Sequence, residues 1–200
     1  MSQQTLEKQF PGLYAIGSIL VRSYPLVNEC EATLIDSGLL WEPRLVRKRL
    51  QQAGLSLDHL RTILLTHGHL DHTANLQWYR RHTKATILAH PLEKAHIDGT
   101  FPYPRPNWIC DALERIGRKV LRYHPVTIAH ELKRDMEIPV WGGLRVVALP
   151  GHTEGHCGFY FYFVNYLACT FSRYIRISAR EPDGLRESQA FLRLSARLAG

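Results

Sequence analysis

Three features of this 200-residue chain predict an α/β fold with a functional site at the end of a sheet. Short apolar runs alternate with stretches of helical spacing, glycine and proline punctuate the junctions, and histidines gather directly after two of the apolar runs. Hydrophobic residues at 45% and charged residues at 22% are globular values, which excludes collagen-like, low-complexity and disordered classes. A single domain over residues 1–200 is expected, since compact domains run to about 100–200 residues.

The first third reads as a small meander. Strand-like runs at 13–16, 19–21 and 32–35 are separated by Gly12, Gly17, Pro25, Asn28 and Gly38. Pro43 stands where a first helical residue belongs, with Leu45, Val46, Leu50 and Ala53 at helical spacing and Gly54 as a stop. Residues 62–66 read as a buried strand, 74–82 as a helix with Leu76, Trp78 and Tyr79 on its apolar side, and 85–89 as the next strand. Residues 91–123 carry a proline- and aromatic-rich stretch, Phe101 to Trp108, then a helix over 111–121. Such a segment is either a proline-stiffened surface excursion or a substrate-facing, lid-like insertion. Strands resume at 144–149, 159–164 and 167–171, with Asn165-Tyr166 as a hairpin turn, and a helix over 184–198 follows, with Leu185, Phe191, Leu192 and Leu198 inward.

Of eleven histidines, three fall in Thr66-His67-Gly68-His69-Leu70-Asp71-His72. In an extended segment His67, His69 and Asp71 share one side, while His72 turns away as a helix begins. Taken alone, Asp71 could cap that helix and a single histidine could be an ordinary polar residue. Together they would leave several polar groups at one strand end without a partner, which favours a metal with a neighbouring second site. Pro150-Gly151-His152-Thr153-Glu154-Gly155-His156 repeats the pattern after a second apolar run, and His152 is the natural third ligand. Three histidines holding zinc with an open fourth position activate water for hydrolysis. For His156, a hydrogen-bonding role in the loop competes with ligation.

The net charge of +7 is carried by arginines scattered from Arg22 to Arg197, and this disfavours a nucleic-acid partner. Cys30, Cys110, Cys157 and Cys169 form no CxxC pair, and residues 1–8 show neither a basic start nor an apolar core. A cytoplasmic location with no membrane span is the expectation.

The motifs THGHLDH at 66–72 and PGHTEGH at 150–156, with Leu34-Ile35-Asp36-Ser37-Gly38 upstream, resemble the metallo-β-lactamase-fold hydrolases, in particular their glyoxalase II-like small members. The resemblance implies a four-layer αββα sandwich, with zinc as the usual metal and iron or manganese in some relatives. It implies that His67, His69 and His152 form the first metal site, that Asp71 and His72 belong to the second, and that Asp36 braces the ligand loops from beneath. Family members place a bridging aspartate where this chain has Phe171, and a further histidine near the carboxyl terminus, whereas no histidine follows His156. One firmly bound metal, with a weak or absent second site, is therefore expected.

These readings predict a metal-dependent hydrolase in which metal-bound hydroxide attacks an ester, thioester or lactone of a small-molecule substrate. Asp71 would orient the water and carry its proton. The alternatives are a catalytically degraded relative that binds or regulates, and a phosphodiesterase acting on nucleic acid.

Overall fold

The computed structural model describes residues 11–18, 21–100, 108–162 and 166–168. Two sheets are present among them. The first runs β1(Ile16–Gly17), β2(Arg22–Val27), β3(Ala32–Ile35), β4(Leu60–Leu64), β5(Thr86–Ala89), β6(His130–Glu131), in spatial as well as chain order. The second is ordered β10(Tyr166–Ala168), β9(Cys157–Phe161), β8(Leu144–Ala148), β7(Glu137–Ile138). β1 to β3 pair antiparallel, β3 to β6 parallel, and the second sheet is antiparallel throughout.

Toward their carboxyl ends the central parallel strands are buried on both faces, which explains the apolar pairs Leu34-Ile35, Ile63-Leu64 and Ile87-Leu88 there. Leu34, Ile63 and Ile87 are register partners on one face, and Ile35, Leu64 and Leu88 are partners on the other. The Ile35 face meets Val146, Phe159 and Phe161 of the second sheet in the inter-sheet core. The Leu34 face is covered by Val46 and Leu50 of α1(Glu42–Gln52), Leu76 and Tyr79 of α3(Leu76–His82), and Ile97 of α4(Lys94–Asp98). Each fully buried phenylalanine or leucine here contributes roughly 1.5–3 kcal/mol. The layers thus run helix, sheet, sheet; the segment read as a closing helix, 184–198, and Phe171 lie outside the described residues.

Several boundaries differ from the sequence expectation. Pro25 lies inside β2, opposite Leu34, where its carbonyl accepts the Tyr14 N–H at 3.0 Å. Leu45 is 44% exposed, because the buried stripe of α1 is set by Val46 and Leu50. The helix expected over 74–82 starts at Leu76 as α3, with a separate short α2(Leu70–Thr73) before it, and the helix expected from residue 111 begins earlier, as α5(Trp108–Val120). The short strands β6 and β7, two residues each, carry too little pattern to be read in advance.

A candidate metal centre between the sheet ends

The site gathers at the carboxyl ends of β3, β4 and β5 and at the β8–β9 connection, all at one edge of the sandwich. β4 delivers Thr66 to His69, α2 adds Asp71 and His72, and the 149–156 loop brings His152 from the other sheet. A backbone bond from Cys157 N–H to Thr66 O, 2.8 Å long, joins the two sheets here.

One ligand atom each from His67, His69 and His152 lies within 4.8 Å of the others, and the same holds for His67, Asp71 and His72. Ring centroids are 4.7 Å apart for His67 and His69, 4.8 Å for His67 and His152, and 4.5 Å for His69 and His152. His67 and His72 are buried, His69 is half-buried, and His152 is exposed, so the cluster opens to solvent on the His152 side. The second-sheet loop also carries His156, buried, with its ring 5.1 Å from His67 and 6.0 Å from His152. Its backbone carbonyl accepts Leu149 N–H at 2.8 Å.

Asp36 organises the cluster from below. Its Oδ1 accepts the Thr66 N–H at 2.8 Å, and its Oδ2 accepts the Thr66 hydroxyl at 2.8 Å and faces His72 Nδ1 at 2.9 Å. The residue is fully buried with φ of 58°, a left-handed backbone that aspartate tolerates better than most residues. Because the single Thr66 hydroxyl proton goes to Asp36, Thr66 Oγ1 can only accept from His67 Nδ1, 3.0 Å away. His67 therefore carries its proton on Nδ1 and presents a bare Nε2, which is buried with no hydrogen-bond partner among the described residues. A cation suits that atom: imidazole nitrogens in threes, each steadied through its second nitrogen, are the donor set that zinc takes.

Charge states agree with the geometry. Burial, with the neighbouring histidines, holds His67 well below the usual imidazole range. Burial and the nearby His152 and His96 lower His69 to about 2. His152, exposed as a residue but with its ring among the others, is lowered to about 4 by desolvation and then by His72. His72 goes the other way: burial acts to lower it, but the charge and hydrogen bond of Asp36 outweigh that and raise it. Neutral imidazoles are the form that binds metal. Asp71, its side chain 42% exposed, sets Oδ2 3.5 Å from His72 Nε2.

The family model of the metallo-beta-lactamase superfamily matches residues 18–169. The chain belongs to the metallo-beta-lactamase superfamily. Curated relatives of this metallo-beta-lactamase superfamily chain include the Probable metallo-hydrolase YflN of Bacillus subtilis, 27% identical over 62% of this chain and 48% of that one. The Probable metallo-hydrolase YybB of the same organism is 30% identical over 71% of this chain and 57% of its own length. The chain thus spans about half the length of the curated relatives it matches. Among solved structures, a metallo-beta-lactamase family protein of Thermus thermophilus, TTHA1429, superposes with a TM-score of 0.64 at 26% identity, covering 95% of this chain and 70% of that one. The metallo-beta-lactamase FEZ-1 of Legionella gormanii gives 0.64 at 19% identity, over 94% and 71%, a likeness of fold. Superfamily membership bears out the αββα expectation, whose helix–sheet–sheet part the described residues display.

The structure brings together all five residues singled out from the sequence, His67, His69, Asp71, His72 and His152. It adds one that sequence reasoning missed. Glu93, 1% exposed, follows β5 in a short turn and accepts backbone N–H groups from both histidine loops. An acid in the motif-free stretch His90-Pro91-Leu92-Glu93 gives no signal in sequence, because its partners are main-chain atoms 25 and 62 residues away.

Proposed function

We propose that this chain holds one zinc ion through His67, His69 and His152 and hydrolyses an ester, thioester or lactone of a small molecule. The observation that carries the reading is the buried, bare Nε2 of His67 in a cluster where one ligand atom each from His67, His69 and His152 lies within 4.8 Å of the others. Zinc bound there would supply an activated water near neutral pH and polarise a carbonyl oxygen. The chain's own residues supply the rest. The exposed His152 side would leave an approach for substrate, and the half-exposed Asp71 carboxylate would orient water and receive its proton. Asp71 and His72, with His67, are the remnant of a second position that holds a cation weakly or not at all, and iron or manganese could replace zinc in the first.

Among the described residues no helix is long and apolar enough to cross a membrane. A cytoplasmic location, a single domain with a lid-like insertion around 91–123, and no nucleic-acid partner go with this proposal. A binding or regulatory relative that has kept the fold is the competing reading, favoured by Phe171 in the place of the family's bridging aspartate.

The test is turnover of thioester, lactone and phosphodiester substrates by protein purified without chelators, before and after metal removal. Hydrolysis of a carboxylic substrate that is lost with the metal and restored by zinc supports the proposal. Metal binding without turnover on any of them favours the binding protein.

A further inference from the structure

Two oxygens of one buried carboxylate serve different loops: Glu93 Oε2 accepts the Gly68 N–H at 2.7 Å, and Oε1 accepts the Gly155 N–H at 2.8 Å. Gly68 lies between His67 and His69, and Gly155 lies three residues beyond His152, next to His156. The side chain therefore spans from the histidine loop of the first sheet to that of the second. Two N–H donors at opposite ends require an acceptor at each end, which a carboxylate supplies; a glutamine would turn an NH₂ toward one of them. Both contacts also require glycine. A Cβ on Gly155 would lie 2.8 Å from Glu93 Oε1, and a Cβ on Gly68 would lie 2.5 Å from the Cβ of His96.

We propose that Glu93 is a positioning residue that fixes the separation of the two histidine loops, so that His152 stands beside His67 and His69 before any metal arrives. The inference rests on the metal reading given above. Its physical basis is preorganisation: the loops come from different sheets, and a site whose donors are already in place does not spend binding energy on ordering them. Groups that steady metal ligands from behind are typically worth about 10–100-fold in metal affinity.

The experiment compares the full chain with Glu93→Gln, and with Glu93→Asp, which keeps the charge but is one methylene too short to reach both loops. Zinc affinity is read by competition with a chromophoric chelator, ligand geometry by the visible spectrum of the cobalt-loaded protein, and loop tethering by amide hydrogen exchange at Gly68 and Gly155 in metal-free protein. Glu93→Gln is expected to bind zinc about 10–100-fold more weakly, with an altered cobalt spectrum and faster exchange at both glycines. Leu34→Ala, a core variant away from the loops, should lose thermal stability while keeping affinity and spectrum. If Glu93→Gln does not fold, Glu93→Asp carries the same comparison. A folded variant with unchanged affinity and spectrum would overturn the proposal. If the unmodified protein binds neither zinc nor cobalt, the metal reading fails instead, and exchange alone decides whether Glu93 ties the loops: unchanged protection at Gly68 and Gly155 overturns the tie.

Discussion

His72 turns Nδ1 toward Asp36 Oδ2, 2.9 Å away, where neither residue is open to solvent. The pair fixes the ring's orientation and directs Nε2 toward Asp71. Since the same carboxylate also takes both donors of Thr66, it sets the tautomer of His67 at one remove.

Asp36→Ala should therefore cost about 3 kcal/mol or more in urea denaturation, because it leaves buried donors on Thr66 and His72 without an acceptor. Asp36→Asn should be milder in stability but reverse the His72 hydrogen bond, moving the ring proton to Nε2. Nitrogen chemical shifts of the His72 ring check this; an unchanged tautomer would contradict the assignment.

The metal-free protein should weaken as pH falls from about 6.5 toward 4. His67, His69, His152 and His156 all have lowered folded values, His156 to about 4 through burial and its neighbour His152. In that window the unfolded chain, with imidazoles near 6.5, binds protons that the folded chain refuses, so acid favours unfolding. His72, raised, acts in the opposite sense: its contribution is present below about 6.5 and is lost as pH rises through its folded value. His96, lowered by burial, joins the four, while Glu42 and Glu114, raised by burial, act with His72. Five groups against three give a lower urea midpoint at pH 5 than at pH 7.5 in chelator; an equal or higher midpoint at pH 5 would count against the buried neutral cluster.

Asp71→Asn and His69→Ala should separate chemistry from binding. Asp71 lies in the second ligand group with His72, whereas His69 lies in the first with His67 and His152. Asp71→Asn is expected to keep most of its zinc while losing at least tenfold in rate, and His69→Ala to lose both. Equal loss of metal in the two variants, by elemental analysis, would contradict that division.

The site was more legible in the sequence than its support was. Histidine clusters directly after apolar runs mark a sheet end, and the five residues that the fold brings together could be named from spacing and the family resemblance together. The strands β3 to β5 were equally plain, because burial on both faces at their carboxyl ends demands consecutive apolar residues there. Glu93 was hidden because its partners are backbone amides of two glycines 25 and 62 residues away, and a main-chain donor does not specify which distant acid meets it. Pro25 misled because proline signals a turn, yet its missing N–H costs little beside a two-residue edge strand. Leu45 was misassigned because leucines at helical spacing extend further round α1 than the sheet covers.

Zinc content per chain tests the central claim most directly. Protein dialysed against zinc and then freed of loosely held metal should retain about one zinc per chain, and the His67→Ala, His69→Ala and His152→Ala variants, folded by circular dichroism, should each retain close to none. No zinc in the unmodified protein, or the same content in the three variants, would contradict a metal centre built from these histidines.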